Sequence, residues 1–421
     1  MTLFSEGLKS SLIFYSGNFF LSIFRYLFHI VLLRLLTPSQ YGEFLTFLSL
    51  IYLLSIPTNT IATITTRSVS SFSGKKDDNS INTFFYFILQ KTFYPLLMVG
   101  TIVVIFSTPL ATLFSASNIA FIVLGISCLT APLQTIVGSY LLGLHLLLKH
   151  SLFGLITAIS TILLSFLLIY LKLGSLGAVI GQVAGGLIAT VIALFWISPK
   201  IFPKSTSHSK FNLNLRSLTN YSLLNSSATL SFMSIDILLA RIILDPHQSG
   251  IYSSLSVIGR TIIFGLSPLS TLVLTYASKK HAAGTKLKPM FFKLSLVIFL
   301  LGVSGAAIFN LFPHQIARVL GGTNFQETGN FLGLFSLSMV LFSWNQFILS
   351  FFNGIGREKN NIYYAFFALL QPIIIITLAK DILALTYTSF GLQLSLFICL
   401  LFLLLKPRVM SVKINHGSNQ K

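Results

Sequence analysis

The sequence predicts an all-α polytopic membrane protein with about 12 transmembrane helices in two six-helix lobes. Three observations carry that expectation: a composition too poor in charge for water, apolar runs of membrane-spanning length, and a motif that recurs half a chain apart. Of 421 residues, 54% are hydrophobic and only 9% are charged. A soluble domain needs roughly 25% charged residues to build its surface.

Crossing a bilayer core takes about 20 apolar residues in a helix. Such runs fall at 11–36, 41–64, 83–107, 118–142, 150–171, 176–198, 217–244, 249–278, 291–313, 329–354, 361–380 and 384–405. Pro109 and the stretch near Gly321 blur the ends of the fourth, ninth and tenth runs. The first run is too long for a signal-peptide core and lacks a small-residue cleavage pattern, so it is expected to remain in the mature chain.

Lys and Arg number 28 against 9 Asp and Glu, a net charge of +19. With both termini placed in the cytoplasm, nineteen of them fall in inner segments: Lys9, Arg67, Lys75, Lys76, Lys149, Lys200, Lys204, Lys210, Arg216, Lys279, Lys280, Lys286, Lys288, Arg357, Lys359, Lys406, Arg408, Lys413 and Lys421. Only Lys172, Arg318 and Lys380 fall outside. This asymmetry orients the chain and supports an even number of spans. The basic excess is thus a topology signal with an attraction to anionic membrane lipids, and nucleic acid is not an expected partner.

Enzyme chemistry finds no foothold. There is no CxxC, HExxH or P-loop, and the only cysteines, Cys128 and Cys399, lie inside spans and are expected to be packed thiols. The longest outer segment, 314–328, offers one acid, Glu327. No catalytic residue, metal ligand or cofactor is assigned, and a membrane-embedded glycosyltransferase or polymerase is the least favoured reading.

Pro38-Ser39-Gln40-Tyr41-Gly42-Glu43-Phe44 and Pro246-His247-Gln248-Ser249-Gly250-Ile251-Tyr252 share the pattern P-x-Q-x-G-x-aromatic. Each follows an arginine, Arg34 or Arg241, and precedes a span with an internal proline, Pro57 or Pro268. Two halves of like topology follow, 1–210 and 211–421. The motif reads as a proline that ends the outgoing helix, a glycine in a tight turn and an aromatic anchor at the interface. Parallel repeats of this kind belong to transporters, with the substrate between the halves.

The stretch from Arg25 through Phe44, and Ile235-Asp236-Ile237-Leu238-Leu239 running on to Gly250-Ile251-Tyr252, resemble the polysaccharide flippases, O-antigen type included, of the multidrug/oligosaccharidyl-lipid/polysaccharide exporter superfamily. The resemblance implies a V-shaped bundle around a cationic central cavity. It implies transport of an undecaprenyl-pyrophosphate-linked oligosaccharide from the cytoplasmic to the outer leaflet of a prokaryotic cell membrane by alternating access, in polysaccharide or lipopolysaccharide biosynthesis. A polysaccharide polymerase or chain-length regulator would be a partner. Many members have fourteen spans, where this chain shows twelve.

Charges within spans face a cavity or a partner, because each costs about 2.5–3.5 kcal/mol at the bilayer centre. Arg25, Arg260 and Arg67 are the candidate ligands for the pyrophosphate, since guanidinium matches phosphate oxygens in pairs. An ion pair with Asp236 is the competing role for Arg25, and structural pairing for Arg260. Asp236 is expected to meet an arginine across the lobe interface. His29, four residues after Arg25, is a packed histidine or a proton-coupling group. Coupling to H+, Na+ or the membrane potential is the expected energy source. Arg34 and Arg241 are expected at the outer rim, snorkelling to headgroups.

Gly177, Gly181 and Gly185 form a small-residue face for close packing. The intramembrane amides Asn18, Asn59, Gln134, Gln182, Asn345, Gln346 and Gln371 are expected mostly to join helices. The excess of arginine over acid favours an anionic cargo. A multidrug or metabolite antiporter and a flippase for the peptidoglycan precursor, lipid II, are the alternatives.

Overall fold

The structure is a computed structural model that describes residues 21–201, 220–285 and 287–405. Of the inner basic residues, Lys9, Lys204, Lys210, Arg216, Lys286, Lys406, Arg408, Lys413 and Lys421 lie outside the described residues, as does Asn18. The chain divides into two compact units, Met1–Leu218 and Thr219–Lys421. Every regular element among the described residues is helical.

The first unit holds α1 (21–35), α2 (Pro38–Gly74), α3 (Asp78–Ile105), a short α4 (Ser107–Leu113), α5 (Asn118–Gly143), α6 (Leu147–Leu168) and α7 (Gly174–Ile201). α5 packs against α2, α3 and α7. Its face supplies Ile136, Val137, Tyr140 and Leu141 to a core that also takes Phe84, Phe85 and Ile88 from α3. The buried Tyr140 hydroxyl is satisfied by the Ile81 carbonyl at 2.9 Å.

Ten stretches among the described residues are long and apolar enough to cross a membrane. One of them, Leu147–Pro199, is 53 residues long. It is two spans, α6 and α7, folded back through a π turn at Ile169–Leu173, where Lys172 and Gly174 take φ of +66° and +56°. The glycine face of α7 makes this antiparallel pair close. A Cβ at Gly177, Gly181 or Gly185 would strike the backbone of Leu168, Ser165 or Thr161 respectively. With that division, and with 21–35 as the described end of the first expected span, each expected run falls on a helix.

The second unit holds α8 (Asn220–Phe232), α9 (Ile235–Ile243), α10 (Pro246–Gly259), α11 (Thr261–Ala282), α12 (Lys288–Leu311), α13 (Pro313–Gly321), α14 (Gly329–Gly354), α15 (Asn361–Leu378) and α16 (Ile382–Leu405). α14 is its central helix, packing on α11, α12 and α16.

The repeat is visible in element lengths. α2 has 37 residues, as does Pro246–Ala282, which joins α10 and α11. α5 and α14 have 26 residues each. Gly143 at the end of α5 rests on Thr66 and Val69, and Gly354 at the end of α14 rests on Leu274 and Ala277.

Two expectations change. The shared motif starts a helix rather than ending one. Pro38 and Pro246 occupy the first turns of α2 and α10, where a missing N–H costs nothing. Thr37 and Gln40 form a capping box, with bonds of 3.4 and 3.2 Å. The Asp245 carboxylate accepts from the N–H groups of His247 and Gln248 at 2.9 and 3.1 Å. Gly42 and Gly250 are buried within these helices, and Phe44 and Tyr252 are core side chains rather than interface anchors.

The seventh and eighth runs are not continuous. α8 and α9 part at Met233–Ser234, and α10 and α11 part at Arg260. Apolar content cannot reveal such breaks, because both halves remain hydrophobic. The outer segment near Gly321 folds as α13 and a 3-10 turn, Thr323–Thr328.

Candidate functional site: two intramembrane cavities

In the second unit, the break in each helix is organised by one ion pair. Arg260 sits between α10 and α11, and Asp236 in the first turn of α9. The Arg260 guanidinium donates to both Asp236 carboxylate oxygens, at 3.1 and 2.9 Å. It also donates at 2.9 Å to the carbonyl of Met233, which lies at the break between α8 and α9. The Tyr252 hydroxyl donates to Asp236 at 3.1 Å.

All three side chains are buried. Charge in an apolar interior is tolerated only when paired and hydrogen-bonded, and each oxygen of Asp236 is engaged here. The space left beside them is about 20 Å³, lined also by Gln371, Ser389 and Gln393. That is room for about one water molecule.

Asp236 therefore finds its arginine within its own unit and not across the lobes. Arg241 also departs from expectation. It is 3% exposed and donates to the Pro246 carbonyl at 3.2 Å and the Ser249 hydroxyl at 2.9 Å. Snorkelling is unnecessary because the α9–α10 turn itself supplies the acceptors. Arg34 is exposed on the last turn of α1, and Arg67 is exposed on α2.

The first unit is built differently at the corresponding place. Counting from the shared prolines, Tyr52 stands where the second unit has Arg260, and α2 runs through it unbroken. His29 and Asp236 match through the paired arginines. The His29 ring shares a 3.2 Å hydrogen bond with the Tyr41 hydroxyl and packs among Phe28, Tyr41 and Phe44.

Beside this histidine a cavity of about 220 Å³ remains. Arg25, His29 and Tyr52 line it with Gln134, Gln182, Thr157 and Thr161. Phe24 and Phe28 form an apolar wall. Among the described residues, Arg25 is the only formally charged one in this lining, and no carboxylate is among them.

Glu43, the acid nearest on α2, is engaged elsewhere. Its carboxylate accepts from the Ser117 N–H at 2.7 Å and the Ser175 hydroxyl at 2.6 Å, tying α2 to the start of α5 and α7. The structure thus brings Arg25 and His29 to one cavity, Arg260 and Asp236 to the other, and Arg34, Arg67 and Arg241 to neither lining.

Tyr52, Thr157 and Thr161 were not singled out by sequence. The repeat offset that links Pro38 to Pro246 would have marked Tyr52 as the partner of Arg260.

No protein-family model matches the chain, and no curated protein sequence matches it. Solved structures do. An inward-facing multidrug resistance MATE family transporter of the MOP superfamily has a TM-score of 0.72 and 14% identity, covering 94% of this chain and 96% of that one. The lipid II flippase MurJ, in an inward closed conformation, has a TM-score of 0.70 and 15% identity, covering 94% and 88%. A MOP superfamily transporter from Pyrococcus furiosus, whose reversed binding-pocket polarity is described as suggesting a different function, has a TM-score of 0.58 and 15% identity, covering 94% and 92%. At such identities the likeness is one of fold. The chain is thus a multi-pass membrane protein with the fold of the MOP superfamily transporters.

Proposed function

We propose that this protein is a flippase for an undecaprenyl-pyrophosphate-linked oligosaccharide in the cytoplasmic membrane of a prokaryote. It carries the headgroup from the inner to the outer leaflet by alternating access while the polyprenyl tail stays in lipid. The observation that carries this reading is the sign of the available charge. Among the described residues, the open cavity presents Arg25 and no carboxylate. The acid beside the other cavity, Asp236, is already neutralised by Arg260.

A pathway for cationic drugs would need an unpaired carboxylate in a low-dielectric site, where opposite charge is worth most. A guanidinium suits phosphate oxygens instead. That pocket polarity differs between transporters of this fold fits the description of the Pyrococcus furiosus protein.

Lipid II flipping meets the same charge requirement and is the second reading, favoured by the likeness to MurJ. A multidrug or metabolite antiporter, favoured by the MATE likeness, fits the charge less well. His29 is the group proposed for coupling to protons, standing in the cavity beside Arg25. Substrate, membrane lipid and a polymerase or chain-length regulator are the proposed partners. Neither a cofactor nor a catalytic residue has a part in it.

Native mass spectrometry of protein purified in mild detergent tests the reading, with wild type beside Arg25→Ala. The expected result is a co-purifying polyprenyl-pyrophosphate glycan on wild type, largely lost from the variant at unchanged thermal stability. A glycopeptide mass would select lipid II. Identical phospholipids on both proteins would overturn the anionic-glycan reading.

A further inference from the structure

The first unit's cavity holds more unused hydrogen-bonding capacity than a helix junction needs. Gln134 on α5 and Gln182 on α7 line it, and neither carboxamide bonds to any described residue. Thr161 also lines it; it is 4% exposed, and its hydroxyl has no partner among the described residues. Gly186 on α7 makes room for the Gln134 amide, whose oxygen would lie 3.0 Å from a Cβ at that position.

Amides that join helices look different in the same molecule. Asn345 donates to the backbone and side-chain oxygens of Gln393 at 3.0 and 2.9 Å. Gln346 donates to the Tyr364 hydroxyl at 2.6 Å and to Thr229 at 3.3 Å. Polar groups away from bulk water are ordinarily paired, so open ones around a cavity point to a ligand that completes them.

We propose that this cavity is a monosaccharide subsite, in which Gln134 and Gln182 bind the hydroxyl groups of the sugar next to the pyrophosphate. The proposal rests on the glycan-flippase reading and deepens it. A carboxamide donates and accepts at once, as a sugar hydroxyl does, so two amides and Thr161 can satisfy one ring without any charge. Phe24, Phe28 and Tyr52 offer apolar surface to the ring's C–H face. Arg25 in the same lining receives the phosphate, which places the charged and the neutral ends of the headgroup on separate residues. The volume of about 220 Å³ suits one sugar ring and not a chain, so the remaining sugars lie outside it.

The test measures binding to the full-length protein in nanodiscs with two lipids, undecaprenyl pyrophosphate and the same lipid carrying a single N-acetylglucosamine. Wild type is expected to bind the glycosylated lipid about tenfold more tightly, the equivalent of one well-made hydrogen bond. In Gln134→Leu/Gln182→Leu that preference shrinks to within about twofold, with bare-lipid affinity unchanged. Arg25→Ala weakens both lipids.

Gly186→Ala, which crowds the Gln134 amide and leaves both glutamines in place, should lower the preference too, and it guards against misfolding of the double variant. Equal binding of both lipids by wild type, or a preference that survives all the cavity variants, would overturn the subsite and leave the amides to water. If glucose 1-phosphate competes as well as the glycosylated lipid, the site belongs to a soluble sugar phosphate and the lipid-linked assignment falls. Failure of wild type to bind even the bare lipid would instead overturn the flippase reading on which the subsite rests.

Discussion

The two cavities occupy corresponding places in a duplicated fold, yet one is open and the other is filled. In the second unit, Asp236 and Arg260 meet at breaks in two helices and leave about 20 Å³. In the first, His29 and Tyr52 stand at the matching positions, α2 is continuous and about 220 Å³ remains. A buried carboxylate demands a counter-ion and full hydrogen bonding, so its neighbours bend to it. A histidine and a tyrosine carry no obligatory charge, and the space remains. Two residues at matching positions thus distinguish a closed half from one that keeps a cavity.

The sharpest way to break this comparison is to unpair the ion pair. Arg260→Ala leaves Asp236 charged and buried, and should destabilise the second unit by about 3–5 kcal/mol. The double variant Arg260→Ala/Asp236→Ala should recover much of that loss. Tyr52→Ala, at the matching place, should move the apparent unfolding temperature little. Thermal unfolding in detergent reads all three, and equal losses at Tyr52 and Arg260 would refute the contrast.

A smaller effect comes from helix packing. Gly181→Leu forces α7 off the backbone of α6 at Ser165 and should cost about 1–3 kcal/mol, read as a lower unfolding temperature. In the last helix of the second unit, Gly391 faces open space, so Gly391→Ala should be neutral or slightly stabilising.

The helix ends differ between the halves as well. Lys76 and His145 take φ of +55° and +58°, whereas the matching positions are Gly284 and Gly356, at +64° and +72°. Lys76→Gly should raise stability by about 1 kcal/mol, and Gly284→Ala should lower it by a similar amount, in the same assay.

The smallest effect is a pH dependence at the α2–α3 turn. The Ser80 hydroxyl and N–H donate to Asp77, at 2.6 and 3.0 Å, and hold its carboxyl below the usual 3.8. Because the folded value is the lower one, this contribution is present at neutral pH and is lost as pH falls below about 3.8. Asp77→Asn should flatten that part of the profile of unfolding temperature against pH.

Much of this was legible in the residues. Apolar runs marked the helices, because only a closed backbone survives in lipid, and the recurring P-x-Q-x-G pattern marked the starts of α2 and α10 as counterparts. Arg25 and His29 could be assigned to one helical face by their four-residue spacing. The partner of Asp236 could not, since α9 and α11 both carry the second unit's apolar signal and nothing in composition says where such a helix breaks. The role of Pro38 and Pro246 is ambiguous in sequence for a related reason. A proline between two apolar runs suits the end of one helix or the first turn of the next, and only the capping bonds of Thr37 and Asp245 decide.

The sequence by itself determined the membrane class, the helix runs, the repeat and the cationic balance, since these depend on hydrophobicity and charge summed along the chain. Tertiary structure alone decided which charges are spent and which are available. Arg260 and Arg241 are consumed by acceptors on neighbouring turns, while Arg25, Gln134 and Gln182 converge on a cavity from three helices. Hydrogen bonds act over about 3 Å, and proximity on that scale is set by packing, not by position along the chain.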